Sequence, residues 1–173
     1  MDKKNDLAVD NFPDYLEIDE LFWFVERKAK TESRENVYIL TAVRTNPRQI
    51  AGFAVEVNRS PQTIQAFIDN TPSAKEYYID GYLGYVNVVY PGKFIRNVRN
   101  KNDTTTVESV NADLRHYIPV LARRSRCFAR SIETLRAVIE VFVEAYNRFG
   151  AAKYHFHSTR SQGEFPLGIV DFL

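Results

Sequence analysis

The sequence predicts an α/β domain in which a mixed five-stranded sheet is flanked by helices. Three runs rich in β-branched and aromatic residues come first, and only a four-residue turn separates the second from the third. A helix, a fourth short strand and a fifth, weaker one follow. Two helical stripes then fill the second half. An order of mostly antiparallel strands, helix, strands and helices is that of a layered domain.

The first strand is Asp19 to Lys28, DELFWFVERK. Asp19, Leu21, Trp23 and Val25 fall on one face, and Phe22 and Phe24 on the other. Apolar groups on both faces mark a central strand covered on both sides. Val37–Thr45 and Ile50–Val57 are the next two strands, joined through Asn46-Pro47-Arg48-Gln49 as an antiparallel hairpin. Ser60 caps a helix with Pro61 at its first position, and Ile64, Phe67 and Ile68 face inward. Glu76–Asp80 is the fourth strand, with Gly81 directly after it. Gly84–Pro91 fits neither period, and Phe94-Ile95 marks the fifth strand.

Asp103 or Thr104 can cap the second helix, whose buried stripe is Val107, Val110, Leu114 and Leu121. Thr104, Glu108, Asn111 and Arg115 line a separate polar face. Pro119 bends or restarts the helix. Ser131 caps the last helix. Its stripe is Ile132, Leu135, Ile139, Phe142 and Tyr146, and Gly150 closes it.

With 173 residues, 45% hydrophobic and 26% charged, the chain suits one soluble domain. Residues 1–16 read as a polar arm, 17–150 as the domain and 151–173 as a tail. The net charge of +1 hides an asymmetry: residues 1–36 hold ten acids against six Lys and Arg, and residues 93–136 hold ten Lys and Arg against four acids. The basic half suits a phosphate-binding face and equally a solvated surface. Cys127, the only cysteine, excludes an intrachain disulfide and a cysteine zinc site. It reads as a packing residue in a reducing compartment. The N-terminus lacks the apolar core of a signal peptide and no run reaches membrane-span length, so a cytoplasmic protein is expected.

Three acids stand out by position. Asp19 opens the central strand, Asp80 ends the fourth, and Glu108 lies on the polar face of the second helix. In a sheet ordered 3-2-1-4-5 the first and fourth strands are neighbours, so Asp19 and Asp80 approach each other and a packed helix can bring Glu108 opposite. Converging carboxylates suit Mg²⁺ or Mn²⁺, and a pair of such ions suits phosphodiester displacement. Position alone equally fits two turn acids and a first-turn acid favoured by the helix dipole.

Five segments carry a resemblance: DELFWFVERK; Arg59-Ser60 with Thr63; YYIDGYLGY; Lys101, Thr104, Glu108, Asn111, Leu114 and Arg115; and RRSRCFARS, with Arg124, Ser125, Phe128 and Ser131 in register. Together they resemble InsB-type bacterial insertion-element transposases, a DDE group with a ribonuclease-H-like catalytic core, from about Asp19 to Asn147. The resemblance implies metal-dependent DNA cleavage and strand transfer, with Asp19, Asp80 and Glu108 as ligands of two Mg²⁺ or Mn²⁺ ions. It implies Asn111 and Arg115 as supporting groups that touch the acid or the DNA backbone, and Lys101, Arg123, Arg124 and Arg126 as DNA-phosphate contacts. Trp23 suits core packing better than base stacking, for which Tyr82 is the other candidate.

Expected partners are element ends and target DNA, a second copy of the chain, and a zinc-finger/helix-turn-helix protein from an overlapping upstream frame. The expected location is the nucleoid. The family usually carries an arginine after the catalytic Glu, where this chain has Ser109. A non-catalytic DNA-binding regulator and a ribonuclease-H-like nuclease are the alternative readings.

Overall fold

The computed structural model describes residues 15–27, 33–96, 104–122 and 127–150. β1 (Tyr15–Arg27), β2 (Ser33–Arg44) and β3 (Gln49–Glu56) come first. α1 (Pro61–Asp69), β4 (Glu76–Ile79), a 3-10 turn at Leu83–Asn87 and β5 (Lys93–Arg96) follow. α2 (Thr105–Tyr117), a second 3-10 turn at Pro119–Leu121 and α3 (Ile132–Phe149) complete the chain. The strands form one sheet in the order β3-β2-β1-β4-β5. β1, β2 and β3 pair antiparallel, and β4 and β5 run parallel to β1. This is the ribonuclease-H-like arrangement expected from the sequence.

β1 is central and is covered on both faces, as its alternation requires. Leu21, Trp23 and Val25 join Val37, Ile39 and Val43 in a core closed by α2 and α3. Leu16 and Ile18 join Leu40 and Ala42 in a second core under α1 and the first 3-10 turn. Trp23 is therefore a core residue. β1 begins at Tyr15, so Tyr15 and Leu16, read as the end of the arm, belong to the sheet. Cys127, expected in packing, is exposed.

The helix ends follow local chemistry in two of three cases. The Ser60 hydroxyl accepts from Thr63 N at 3.2 Å, and Ser131 accepts from Thr134 N at 3.1 Å. Gly150 closes α3 at φ 74°, a conformation that side-chain-bearing residues resist. α2 is the exception: Thr104 occupies the cap position but makes no side-chain capping bond. Its cap comes from β1, where Glu17 Oε2 accepts from Thr106 N at 2.7 Å and Val107 N at 2.9 Å. A carboxylate on the first two free amides of a helix satisfies both and complements the dipole. Pro119 acts as expected: α2 stops at Tyr117 and a 3-10 turn takes over.

Candidate metal centre

The site exists because β4 is short. Its pairing with β1 runs from Tyr15↔Glu76 to Ile18↔Ile79 and then stops, while β1 continues to Arg27. Asp80 is the first residue beyond the last rung. Asp19, one residue past Ile18, therefore faces an open strand end, the place where open α/β sheets bind ligands. Adjacent residues of a strand point to opposite faces. At an open end both can bend round to the same point, and Glu20 does so. Carboxylate oxygens of Asp19, Glu20 and Asp80 all lie within 4.8 Å of one another. The three are hard oxygen donors that can hold a metal ion.

Asp80 is fixed by its own turn, accepting from Tyr82 N at 2.9 Å. Arg96 donates to Gly81 O and ties that turn to β5. Asp19 is held from α2, whose Asn111 Nδ2 donates to Asp19 Oδ2 at 2.9 Å. Asn111 is thus buried against the cluster, and its Oδ1 makes no hydrogen bond. Burial pushes the Asp19 carboxyl up from its ordinary range. The backbone amide of Glu20 and Asn111 oppose that shift, and the charges of Asp80 and Glu108 add to it.

Glu20 faces the α1 side. Among the described residues its counter-charge is Arg59, whose Nη1 lies 3.6 Å from Oε1. Burial first, then the charges of Asp80 and Asp19, raise its pKa to about 7 against the opposing pull of Arg59. The Arg59 guanidinium lies 3.9 Å over the Tyr82 ring and 5.2 Å from that of Tyr38. Tyr82 is therefore covered on one face by a cation, which limits the base stacking expected of it.

Glu108 is exposed on α2 and stands outside the tight group. It lines the same open cleft of about 620 Å³ as Asp19, Glu20, Asn111, Arg115 and His116. Its charge is felt at Asp19. The cleft is thus acidic at the strand end and cationic toward the end of α2. Ser109 accepts from Arg48 Nη2 at 2.9 Å, and the same atom pairs with Asp113 at 3.2 Å. The β2–β3 turn is thereby tied to α2, with the Arg48 charge paired to Asp113. Lys101, Arg123, Arg124 and Arg126 lie outside the described residues.

Asp80 was visible as a strand-end acid; Asp19, expected to open β1, is instead its fifth residue, because β1 begins at Tyr15, and Glu20 was not singled out. Strict alternation sends Glu20 to the far face, and only the termination of β4 brings it back. Glu17 was missed for a different reason: its helix partners lie 89 and 90 residues away. The signal available for both was a cluster of three acids, Glu17, Asp19 and Glu20, directly ahead of the apolar run Leu21–Val25. No family model matches the chain, and no curated protein matches it in sequence.

Proposed function

We propose that this domain is the catalytic core of an insertion-element transposase, acting on DNA with Mg²⁺ or Mn²⁺ to cleave strands and transfer them. The observation that carries the reading is the pairing of Asp19 and Asp80 at the open end of β4, with Glu108 across the same cleft. The donor set fits the ions: clustered carboxylate oxygens, with neither thiolate nor imidazole in the tight group. Asp19 and Asp80 would hold one ion and, with Glu108, a second. Bound ions of this kind activate a water or hydroxyl and stabilise the leaving oxygen of a phosphodiester. Asn111 keeps Asp19 oriented, and Arg115 lies along the wall of the cleft, where a DNA phosphate would run. Two element ends held together call for at least a dimer, and end recognition falls to a separate zinc-finger/helix-turn-helix protein.

The test uses labelled element-end DNA with Mn²⁺ or Mg²⁺. Cleavage and joining should fall at least about a hundred-fold in Asp80→Ala and in Glu108→Ala. Activity that survives either change removes that residue from the mechanism. Salt-sensitive DNA binding with no cleavage under any metal supports the regulator instead. Preferential cutting of RNA–DNA hybrids supports a nuclease.

A further inference from the structure

Three buried polar atoms at the cluster lack a hydrogen bond: Asn111 Oδ1, Glu20 Oε1 and the Tyr85 hydroxyl. Glu20 Oε1 is enclosed, its side chain only 3% exposed, and only the ion-pair contact with Arg59 at 3.6 Å approaches it. Tyr85 is 0% exposed and its hydroxyl is also unpartnered. Tyr85 lies in the 3-10 turn that follows Asp80, packed in the core on the Glu20 side of the sheet. Its ring meets edge-on that of Tyr82, 6.0 Å away, the residue whose amide holds Asp80, and burial first, then the charges of Glu20, Asp19 and Asp80, hold its phenol well above the ordinary range. An enclosed donor and an enclosed acceptor, both unmet beside three clustered carboxylates, are the complement of a hydrated cation.

From this geometry we infer that Glu20 is a metal ligand of the site, alongside Asp19 and Asp80, and that Arg59 is the built-in cation it exchanges for the ion. The inference rests on the metal-dependent reading above and deepens it: the innermost ion takes Glu20, and Glu108 serves the outer, DNA-facing side of the cleft. Arg59 suits the exchange because it does not depend on Glu20 for its place. The Tyr82 and Tyr38 rings hold its guanidinium, and its side chain is 38% exposed. Losing Glu20 to an ion leaves Arg59 on those rings, free to take a phosphate oxygen. Tyr85 is a positioning residue, its hydroxyl donating to a carboxylate or to a water on the ion.

The experiment is calorimetric titration of the full chain with MnCl₂ alone, without DNA. Wild type should bind. Glu20→Gln should weaken the tighter binding event at least ten-fold, and Glu108→Gln less than about three-fold. Arg59→Met keeps an apolar stem against Tyr82 and removes the competing charge, so it should tighten binding several-fold, the reciprocal of exchange. A merely structural Glu20–Arg59 pair predicts the opposite pattern: unchanged affinity in Glu20→Gln and unchanged or weaker affinity in Arg59→Met. Circular dichroism confirms folding, and Glu20→Asp, which retains the carboxylate, should recover part of the affinity. Binding lost in Glu108→Gln but kept in Glu20→Gln overturns this inference and leaves the metal-dependent reading standing. No binding by wild type overturns both. Mn²⁺ binding as described, without DNA cleavage, overturns only the transposase reading.

Discussion

Glu17 and Glu20 sit three residues apart on β1, both nearly fully enclosed, and do opposite things. Glu17 is saturated: it takes two α2 amides on one oxygen and the Thr45 hydroxyl at 3.1 Å on the other. Glu20 has a cation at 3.6 Å, two like charges beside it and no hydrogen bond on its enclosed oxygen. A buried charge whose oxygens are all met holds a fold together. One left partly unmet is a stored cost, retained where a ligand will meet it. The two residues therefore separate structure from function within a single turn of sequence.

The comparison breaks most sharply at Glu17. Glu17→Ala strands two amides and a hydroxyl, all at least partly buried, and removes the carboxylate cap of α2, so it should destabilise the fold by about 4 kcal/mol, read from urea unfolding. If α2 holds its place at a cost under about 1 kcal/mol, the carboxylate is not what seats it.

Glu20 should behave in reverse. Its pKa is about 7 folded and near 4.5 when unconstrained, so the folded state holds the extra proton between those values. Stability of the metal-free protein should thus be unaffected by this group below pH 4.5, fall as pH rises toward 7, and stay low above it. Glu20→Gln should raise stability at pH 8 by on the order of 3 kcal/mol, with no gain at pH 4, in denaturant titrations with chelator present. A loss at pH 8 would make Glu20 a second Glu17.

The smallest effect is expected at Tyr85. Tyr85→Phe removes an unmet hydroxyl, so with chelator it should change stability by less than about 1 kcal/mol, in the favourable direction. The rise in Tm that Mn²⁺ gives the wild type should shrink in this variant.

The contrast also marks what was legible in the sequence. The three leading strands were readable because each is a run of β-branched and aromatic residues and one short turn joins β2 to β3. α1 and α3 were readable because Ser60, Pro61, Ser131 and Gly150 act within a few residues of the helices they bound. α2 was readable as a helix but not in how it starts, since its cap comes from a strand about 90 residues earlier. The same limit hid Glu20: a period of two describes a paired strand, and Glu20 stands where pairing has ended on one side. Asn111 was correctly placed near the acids because the 3.6-residue period sets it one turn beyond Glu108. Glu108 was expected opposite the two aspartates on a packed helix; it is exposed on α2 and lines the same cleft as Asp19, outside the tight group.

β4 pairs with β1 over four residues and no more. That length is a gauge. One more residue in the strand before Asp80 would extend the ladder by a rung and swing the Asp80 carboxylate to the opposite face. The chain would keep its sheet, both cores and all its acids, and still lose the meeting point. An insertion between Ile79 and Asp80 should therefore silence the site more completely than many substitutions within it, because what brings these carboxylates together is where a strand stops.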